Sequence, residues 1–315
     1  MTTAAREFPV LHPRESLSAR LVEFVSRAPL HLALVAIGVV WLVPTVGLFV
    51  TSFRTRADIF SSGWWTALIN WHFTFDNYLR VMASRGTTEA LGQNFINSFI
   101  ITIPSTLLPV SLGALAAYAF AWAAFRGRDW IFLGIVALQI IPLQMTFVPV
   151  LQIYNGFDGF VRTLPEPLNE FRMTASFVGL WLAHTAYGLP FAIFLLRGFF
   201  ASLPRDLIEA AKMDGSSEFN IFLRIILPLS VPALASLTIF QFLWVWNDLL
   251  VALIYAQAPQ LQPVTTGIKN LLSTYGPEWD LLSAAAFFSM SVPLIVFFSL
   301  QRYFVRGLLA GSVKS

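Results

Sequence analysis

The sequence predicts an all-α integral membrane protein of six transmembrane helices, and three observations predict it. Of its 315 residues, 57% are hydrophobic and only 12% are charged, against roughly 25% charged in an ordinary soluble domain. Apolar runs long enough to cross a hydrocarbon core of about 30 Å as helices recur along the whole chain, and the mean hydropathy is +0.69. Lys and Arg concentrate in alternate connections between those runs, as they do in chains that keep positive charge on the cytoplasmic face.

The predicted spans are Leu30–Ser52, Phe95–Phe125, Trp130–Tyr154, Ala175–Leu196, Leu229–Ala256 and Leu281–Gln301. Residues 1–29 are a polar segment too long for the leading part of a secretion signal. The run after them is long enough to span, so the first helix reads as uncleaved. The second span carries "GALAAYAFAWAAF", Gly113 to Phe125. Small residues let helix backbones approach closely in lipid, although alanine's helix propensity alone accounts for the same letters. Every span contains or abuts a proline: Pro44, Pro104, Pro109, Pro142, Pro149, Pro190, Pro232 or Pro293. Each removes a backbone hydrogen bond and bends its helix. Such kinks suit a bundle that opens and closes, while a static membrane bundle tolerates them as well.

With the N-terminus inside, thirteen basic residues fall in inner segments, among them Arg6, Arg14, Arg126, Arg128, Arg205, Lys212 and Arg302. Seven fall outside: Arg54, Arg56, Arg80, Arg85, Arg162, Arg172 and Lys269. The bias favours both termini in the cytoplasm. The division that follows is an N-terminal cytoplasmic segment 1–29, a six-span transmembrane domain 30–301 containing an inner polar segment 202–228, and a cytoplasmic tail 302–315. Of the outer connections, Arg54–Asn94 is long and aromatic, "WWTALINWHFTFDNYLRV", as suits an interfacial belt. Asn155–Thr174 is a short connection, and Gln257–Asp280 is polar and rich in loop formers.

Several chemistries are absent from the letters. With no cysteine there are no disulfides, thiolate metal sites or thiol nucleophiles. The four histidines, His12, His31, His72 and His184, have no metal-ligand spacing. No H-E-x-x-H, G-x-S-x-G or phosphate-binding G-x-x-x-x-G-K-[ST] occurs, so no cofactor is expected on this chain. A net charge of +3 gives no reason to invoke nucleic acid. An ion-coupled carrier usually needs ionisable groups inside the membrane. Here the spans hold one acid, Asp248, besides His31 and His184, a poor relay.

The inner segment is the unusual one. In "SLPRDLIEAAKMDGSSEFNIFLRIILPLSVP", Ser202, Pro204 and Asp206 read as a helix start. Leu207, Ile208 and Ala211 share one face, and Gly215 ends the helix. Ser216 then restarts a second helix with Phe219, Phe222 and Leu223 as its apolar stripe, and Pro228 and Pro232 mark the return to the membrane. Helices that lie on lipid headgroups favour Lys and Arg on the polar face. Here Arg205, Lys212 and Arg224 are balanced by Asp206, Glu209, Asp214 and Glu218, which favours a protein socket over anionic lipid. Near mid-span, the polar or aromatic residues Gln144, Trp244, Asn247 and Asp248 are candidates to line a substrate path.

"EAAKMDGSSEFNIFLRIILPLSVP" resembles the EAA motif of ABC importer permeases: E-A-A, three variable positions, G, nine more, then I-x-L-P. The match runs through Glu209, Ala210, Ala211, Gly215 (with Asp214 beside it), Ile225, Leu227 and Pro228. Over most of its length the chain is similar to the MalG-type permeases of carbohydrate importers, through "FDNYLRV", "QNFINSFIITIP", "IPLQMTFVPVLQIY", "WLAHTAYGLPFAIFLLRGFF", "FLWVWNDLLVALIY" and "QRYFVRGLLAGSVKS". The stretches "FQFLWVWNDLLVAL" and "SLQRYFVRGLLAGSVK" are most similar to the α-glucoside and maltose-type subgroup.

The resemblance implies a type I ABC importer permease fold in the cell (inner) membrane, with no bond chemistry on this chain. ATP and Mg2+ would be used by a pair of MalK-type ATPase subunits. A homologous MalF-type permease would complete the pathway, and an extracytoplasmic solute-binding protein would deliver the sugar. The 202–228 knob would dock in a cleft of the ATPase, with Glu209 pairing a basic residue there and Gly215 shaping the turn. The tail residues Gly307, Gly311 and Ser312 would reach toward the ATPase pair, the glycines lending flexibility. In the Gln257–Asp280 loop, Gln262, Pro263, Gly267, Tyr275 and Gly276 would face the binding protein. The substrate implied is a di- or oligosaccharide of the α-glucoside or maltose kind; close relatives also carry glycerol-3-phosphate, which stays open as an alternative.

Overall fold

A computed structural model describes residues 17–82, 91–274 and 278–312, with side chains over 28–82, 91–272 and 278–301. Every regular element among the described residues is helical. In chain order they are α1 (Leu17–Ser52), α2 (Arg56–Ser61), α3 (Asp76–Met82), α4 (Gly92–Trp122), α5 (Arg128–Leu138), α6 (Leu143–Val161) and α7 (Phe177–Ala201). There follow α8 (Arg205–Met213), α9 (Glu218–Ile221), α10 (Leu227–Leu229), α11 (Val231–Trp246), α12 (Leu250–Tyr255), α13 (Val264–Thr274) and α14 (Trp279–Ser312).

Four helices are individually long and apolar enough to cross a membrane: Ala28–Ser52 of α1, α4, α7 and Trp279–Gln301 of α14. The number reaches six only if two sharply bent pairs each count as one span. The expected third span, Trp130–Tyr154, is one of them. It breaks at Gln139–Pro142, and its halves α5 and α6 meet at 103°. Pro142 is the residue before α6, with extended ψ, and its ring cannot continue the preceding helix. Eleven residues give α5 a length of only about 16 Å. The other joins Glu218–Leu229 to Val231–Trp246 at 76°, and the expected fifth span, Leu229–Ala256, divides again between α11 and α12. The Asn247 side-chain amide donates to Leu243 O at 2.7 Å and the Ala252 N–H donates to Asp248 Oδ2 at 3.2 Å. Short polar side chains that bond the backbone in this way compete with the helical ladder. By contrast Pro44, Pro104, Pro109, Pro149, Pro190 and Pro293 sit inside unbroken helices.

The centre of the bundle is the α4–α7 pair, against which α11 packs, with α14 beside α11 and α1 on the outside of α14. The small-residue run allows the closest approach: a methyl on Gly113 would lie 2.7 Å from Ala192 Cβ, and Ala114, Ala117 and Ala192 are all buried. In lipid such contact, through dispersion, is the main source of helix association. A second aromatic cluster joins α4, α11 and α14. Phe95 and Phe99 set their rings against Trp246 at 5.5 and 4.9 Å, while Trp246 Nε1 donates to Ser289 O.

The long connection after α1 is folded onto it. Arg54, though a cation, is buried, donating to Asp58 O, Ser62 O and Ser62 Oγ. Asn77 Nδ2 donates to Ser52 O and Arg54 O. The connection after α6 is held by Asp158, whose carboxylate accepts the Met173 and Thr174 N–H groups. The expected loop Gln257–Asp280 is not all loop, since its middle, Val264–Thr274, is α13. α14 runs unbroken through Gln301 to Ser312, so Gly307, Gly311 and Ser312 lie on helical backbone.

Candidate functional site

The polar segment between α7 and α11 folds as a bent pair of short helices. α8 begins with Arg205 after Pro204, and Asp206 lies in its first turn, where a carboxylate meets the positive end of the helix. Ser202 does not cap it. Its hydroxyl donates to Phe199 O at 2.7 Å, closing α7 instead. The end of α8 is a Schellman arrangement: the Ser216 N–H donates to Ala211 O and the Gly215 N–H to Lys212 O, both at 3.0 Å. Gly215 has φ +77°, the left-handed conformation that glycine adopts without steric cost. The second helix starts one residue later than expected, with Ser217 as its cap, its Oγ accepting the Asn220 N–H. It widens into a π turn over Phe222–Ile226, where the Leu227 N–H reaches back to Phe222 O, just before Pro228, which has no N–H to give.

One face of this knob is anchored and the other is free. Ile208, Ala211, Ile221, Phe222 and Ile226 are buried in one core with Ala114 and Ala117 of α4, Leu196 and Phe200 of α7, and Leu237 of α11. Ile225 and Leu227 pack at the edge of that core. Leu207, Phe219 and Leu223, expected in the apolar stripes, are exposed instead, as is Pro228. The actual seam of the second helix is Ile221, Phe222 and Ile226. Glu209, Ala210, Met213, Asp214 and Gly215 point outward together. Across the bend Lys212 Nζ lies 2.6 Å from Glu218 Oε1, and the Tyr118 hydroxyl donates to Glu218 Oε2 at 2.6 Å. The Lys212 ammonium, and after it the Tyr118 hydroxyl, hold the Glu218 carboxyl below its ordinary pKa.

A small cavity lies between α7 and α11. Its lining includes His184, Tyr187 and Gly188 from α7, Gln241, Trp244 and Val245 from α11, and Asp248 at the break before α12. Its volume is about 10 Å³, room for about one water. Of the four path candidates, the structure brings Trp244 and Asp248 together here. Gln144 is exposed on α6 and Asn247 is turned back to its own helix, so neither reaches the cavity. His184, Tyr187 and Gln241 were not singled out as path residues from the letters. His184 and Gln241 are polar residues within otherwise apolar helices, a signal that could have found them.

In the connection toward α13, Gln262, Pro263 and Gly267 are built into the fold. Asn94 Nδ2 donates to Gln262 O at 3.0 Å, and Asn97 Nδ2 to Gln260 O and Gln262 O at 2.9 and 3.1 Å. Gly267 is so close to α4 that a methyl on it would lie 2.6 Å from Leu91 Cδ2. Tyr275 and Gly276 lie outside the described residues.

In sequence the chain matches inner-membrane components of binding-protein-dependent transport systems. Residues 109–309 match the family described as "Binding-protein-dependent transport system inner membrane component", and the chain belongs to that family. It is 47% identical over 309 residues, 96% of this chain and 97% of the relative, to the "Osmoprotective compounds uptake permease protein GgtD" of Synechocystis sp.. It is 50% identical over 243 residues to the "Alpha-glucoside transport system permease protein AglG" of Rhizobium meliloti, covering 77% of this chain and 60% of that one. The fold is shared with a chain in the crystal structure of a bacterial ABC transporter that imports the polysaccharide alginate. There the TM-score is 0.71 at 19% identity, covering 93% of this chain and all of that one.

Proposed function

We propose that this chain is the MalG-type permease subunit of an ATP-driven importer for α-glucoside-like sugars. It crosses the cell membrane six times, the α5–α6 pair counting as one broken span and α11 with the bent segment leading into it as another, with both termini in the cytoplasm. It pairs with a second permease, receives sugar from a solute-binding protein, and is driven by two ATPase subunits that use ATP and Mg2+. The name of the Rhizobium relative supports the sugar class, and the name of the Synechocystis relative points to small osmoprotective solutes, a role that neutral glycosides can fill.

The observation that carries the coupling role is the two-faced knob. Glu209, Ala210 and Asp214 face outward, while Ile208 and Ala211, on the same two turns, are rooted among α4, α7 and α11. Packed interiors transmit displacement because they are dense and hardly compressible. A push on the outward face therefore moves three long helices together. Small side chains at Ala210 and Gly215 let a partner surface approach the backbone.

The test is made in proteoliposomes holding the whole transporter. ATP hydrolysis rises when sugar-loaded binding protein is added to the wild type. Gly215→Val and Glu209→Lys abolish that rise and the uptake with it, while insertion is unchanged. Wild-type uptake in both variants sinks the coupling role. Orientation has a separate test, because the chain contains no cysteine and Met213 is 88% exposed. A Met213→Cys variant is labelled by a membrane-impermeant maleimide in inverted vesicles and not in right-side-out ones; the reverse pattern overturns the topology.

A further inference from the structure

We propose that the cavity between α7 and α11 is a sugar subsite contributed by this chain, captured shut, with Gln241 and His184 as its hydrogen-bonding groups. The proposal rests on the sugar-importer reading and names the residues of this subunit that touch the cargo. Gln241 is 2% exposed, and its Oε1 has no hydrogen-bond partner among the described residues. A buried amide oxygen left unpaired is unfavourable, and native interiors satisfy nearly all such groups. His184, 7% exposed, lies one turn before Gly188 on α7, across the seam from Gln241. Both residues line the same cavity, so an unpaired amide and an imidazole on neighbouring helices border one space.

The walls fit the same ligand class. Tyr187 and Trp244 add aromatic surface, and Tyr187 is held by its hydroxyl, 3.0 Å from Tyr255 Oη. A carbohydrate offers hydroxyls to the amide and imidazole and C–H faces to the rings, the mix of apolar walls and few polar anchors typical of small-molecule sites. The lining contains no Lys or Arg, and its one ionisable acid is Asp248. An anionic cargo such as a glycerol phosphate would meet no cation here and would lie beside a carboxylate. The geometry therefore selects a neutral polyol or glycoside.

The site is closed by the α7–α11 seam. Gly188 faces Gln241 so closely that a methyl there would lie 2.4 Å from Gln241 Nε2. At about 10 Å³ the cavity admits no sugar. α7 packs along α4 far more extensively than along α11, so the seam at Gly188 is the weaker contact and is where the site would open.

The test uses the complete transporter with its binding protein in proteoliposomes, with radiolabelled maltose and sucrose as probes. In Gln241→Leu and in His184→Leu, uptake at saturating binding protein is expected to fall at least tenfold, while stimulated ATP hydrolysis stays within twofold of wild type. Gln241→Asn, which keeps the amide, is expected to restore much of the uptake. Unchanged uptake in both leucine variants overturns the subsite. A parallel loss of uptake and hydrolysis that Gln241→Asn does not relieve also overturns it, because it assigns Gln241 to packing. If the wild type moves glycerol-3-phosphate but neither sugar, the sugar reading itself is wrong and the subsite falls with it.

Discussion

Lys212 and Glu218 meet across the Gly215 bend, Nζ to Oε1 at 2.6 Å, and so tie the last turn of α8 to the first turn of α9. The pair is open to solvent, with side chains 43% and 60% exposed, and such pairs contribute at most about 1 kcal/mol. Lys212→Ala should therefore lower the thermal midpoint slightly and leave the knob folded. The Glu218 pKa is depressed in the folded chain. Its contribution is complete above the unfolded-state value, about 4.3, and is lost as pH falls through the lower folded value. The difference in thermal midpoint between wild type and Glu218→Gln should thus narrow on acidification through that range. A difference that grows with acid would contradict the ion pair.

Gly113 and Ala192 set the spacing of α4 and α7. Gly113→Leu adds four carbons where a single methyl already lies 2.7 Å from its neighbour. Overpacking of this kind costs about 1–3 kcal/mol. Thermal unfolding in detergent, followed by tryptophan fluorescence, should show the drop. Gly134→Leu, at a glycine with open space around it, should show much less.

Asn97 holds the connection ahead of α13 through two carbonyls, Gln260 O and Gln262 O. Asn97→Ala removes that donor from the Gln260 carbonyl, a loss of about 0.5–1.5 kcal/mol for one hydrogen bond. Amide hydrogen exchange should quicken in residues 257–263 and stay unchanged in α8. Equal exchange in both proteins would show that the two carbonyls are satisfied by other means.

Much of the polar knob was legible in the letters because its determinants are local. Pro204, Asp206, Gly215 and a serine cap act within one or two turns, and the structure uses all four kinds of signal. The errors were of one residue or one neighbour: Ser202 went to α7, and the cap is Ser217, not Ser216. Periodicity alone did not say which apolar residues would be covered. Leu207 and Phe219 are as apolar as Ile208 and Phe222, and only the position of α4 and α7 separates them.

The cavity-lining residues were less legible, since a cavity belongs to no single segment. Trp244 and Asp248 stood out by type, whereas His184 and Gln241 become a site only when α7 is laid against α11. Asn247 looked equal to Asp248 until its amide was found bonded to its own helix.

Composition and short-range pattern by themselves determined that this chain is a bundle of apolar helices, and where its polar knob lies, because hydrophobic run length and turn chemistry are properties of consecutive residues. Which helices break, which faces are covered, and which polar groups share a cavity were decided only by the tertiary structure. Those outcomes depend on contacts between residues distant in sequence, such as Gly113 on Ala192 and Gln241 on Gly188, whose energies no local window contains.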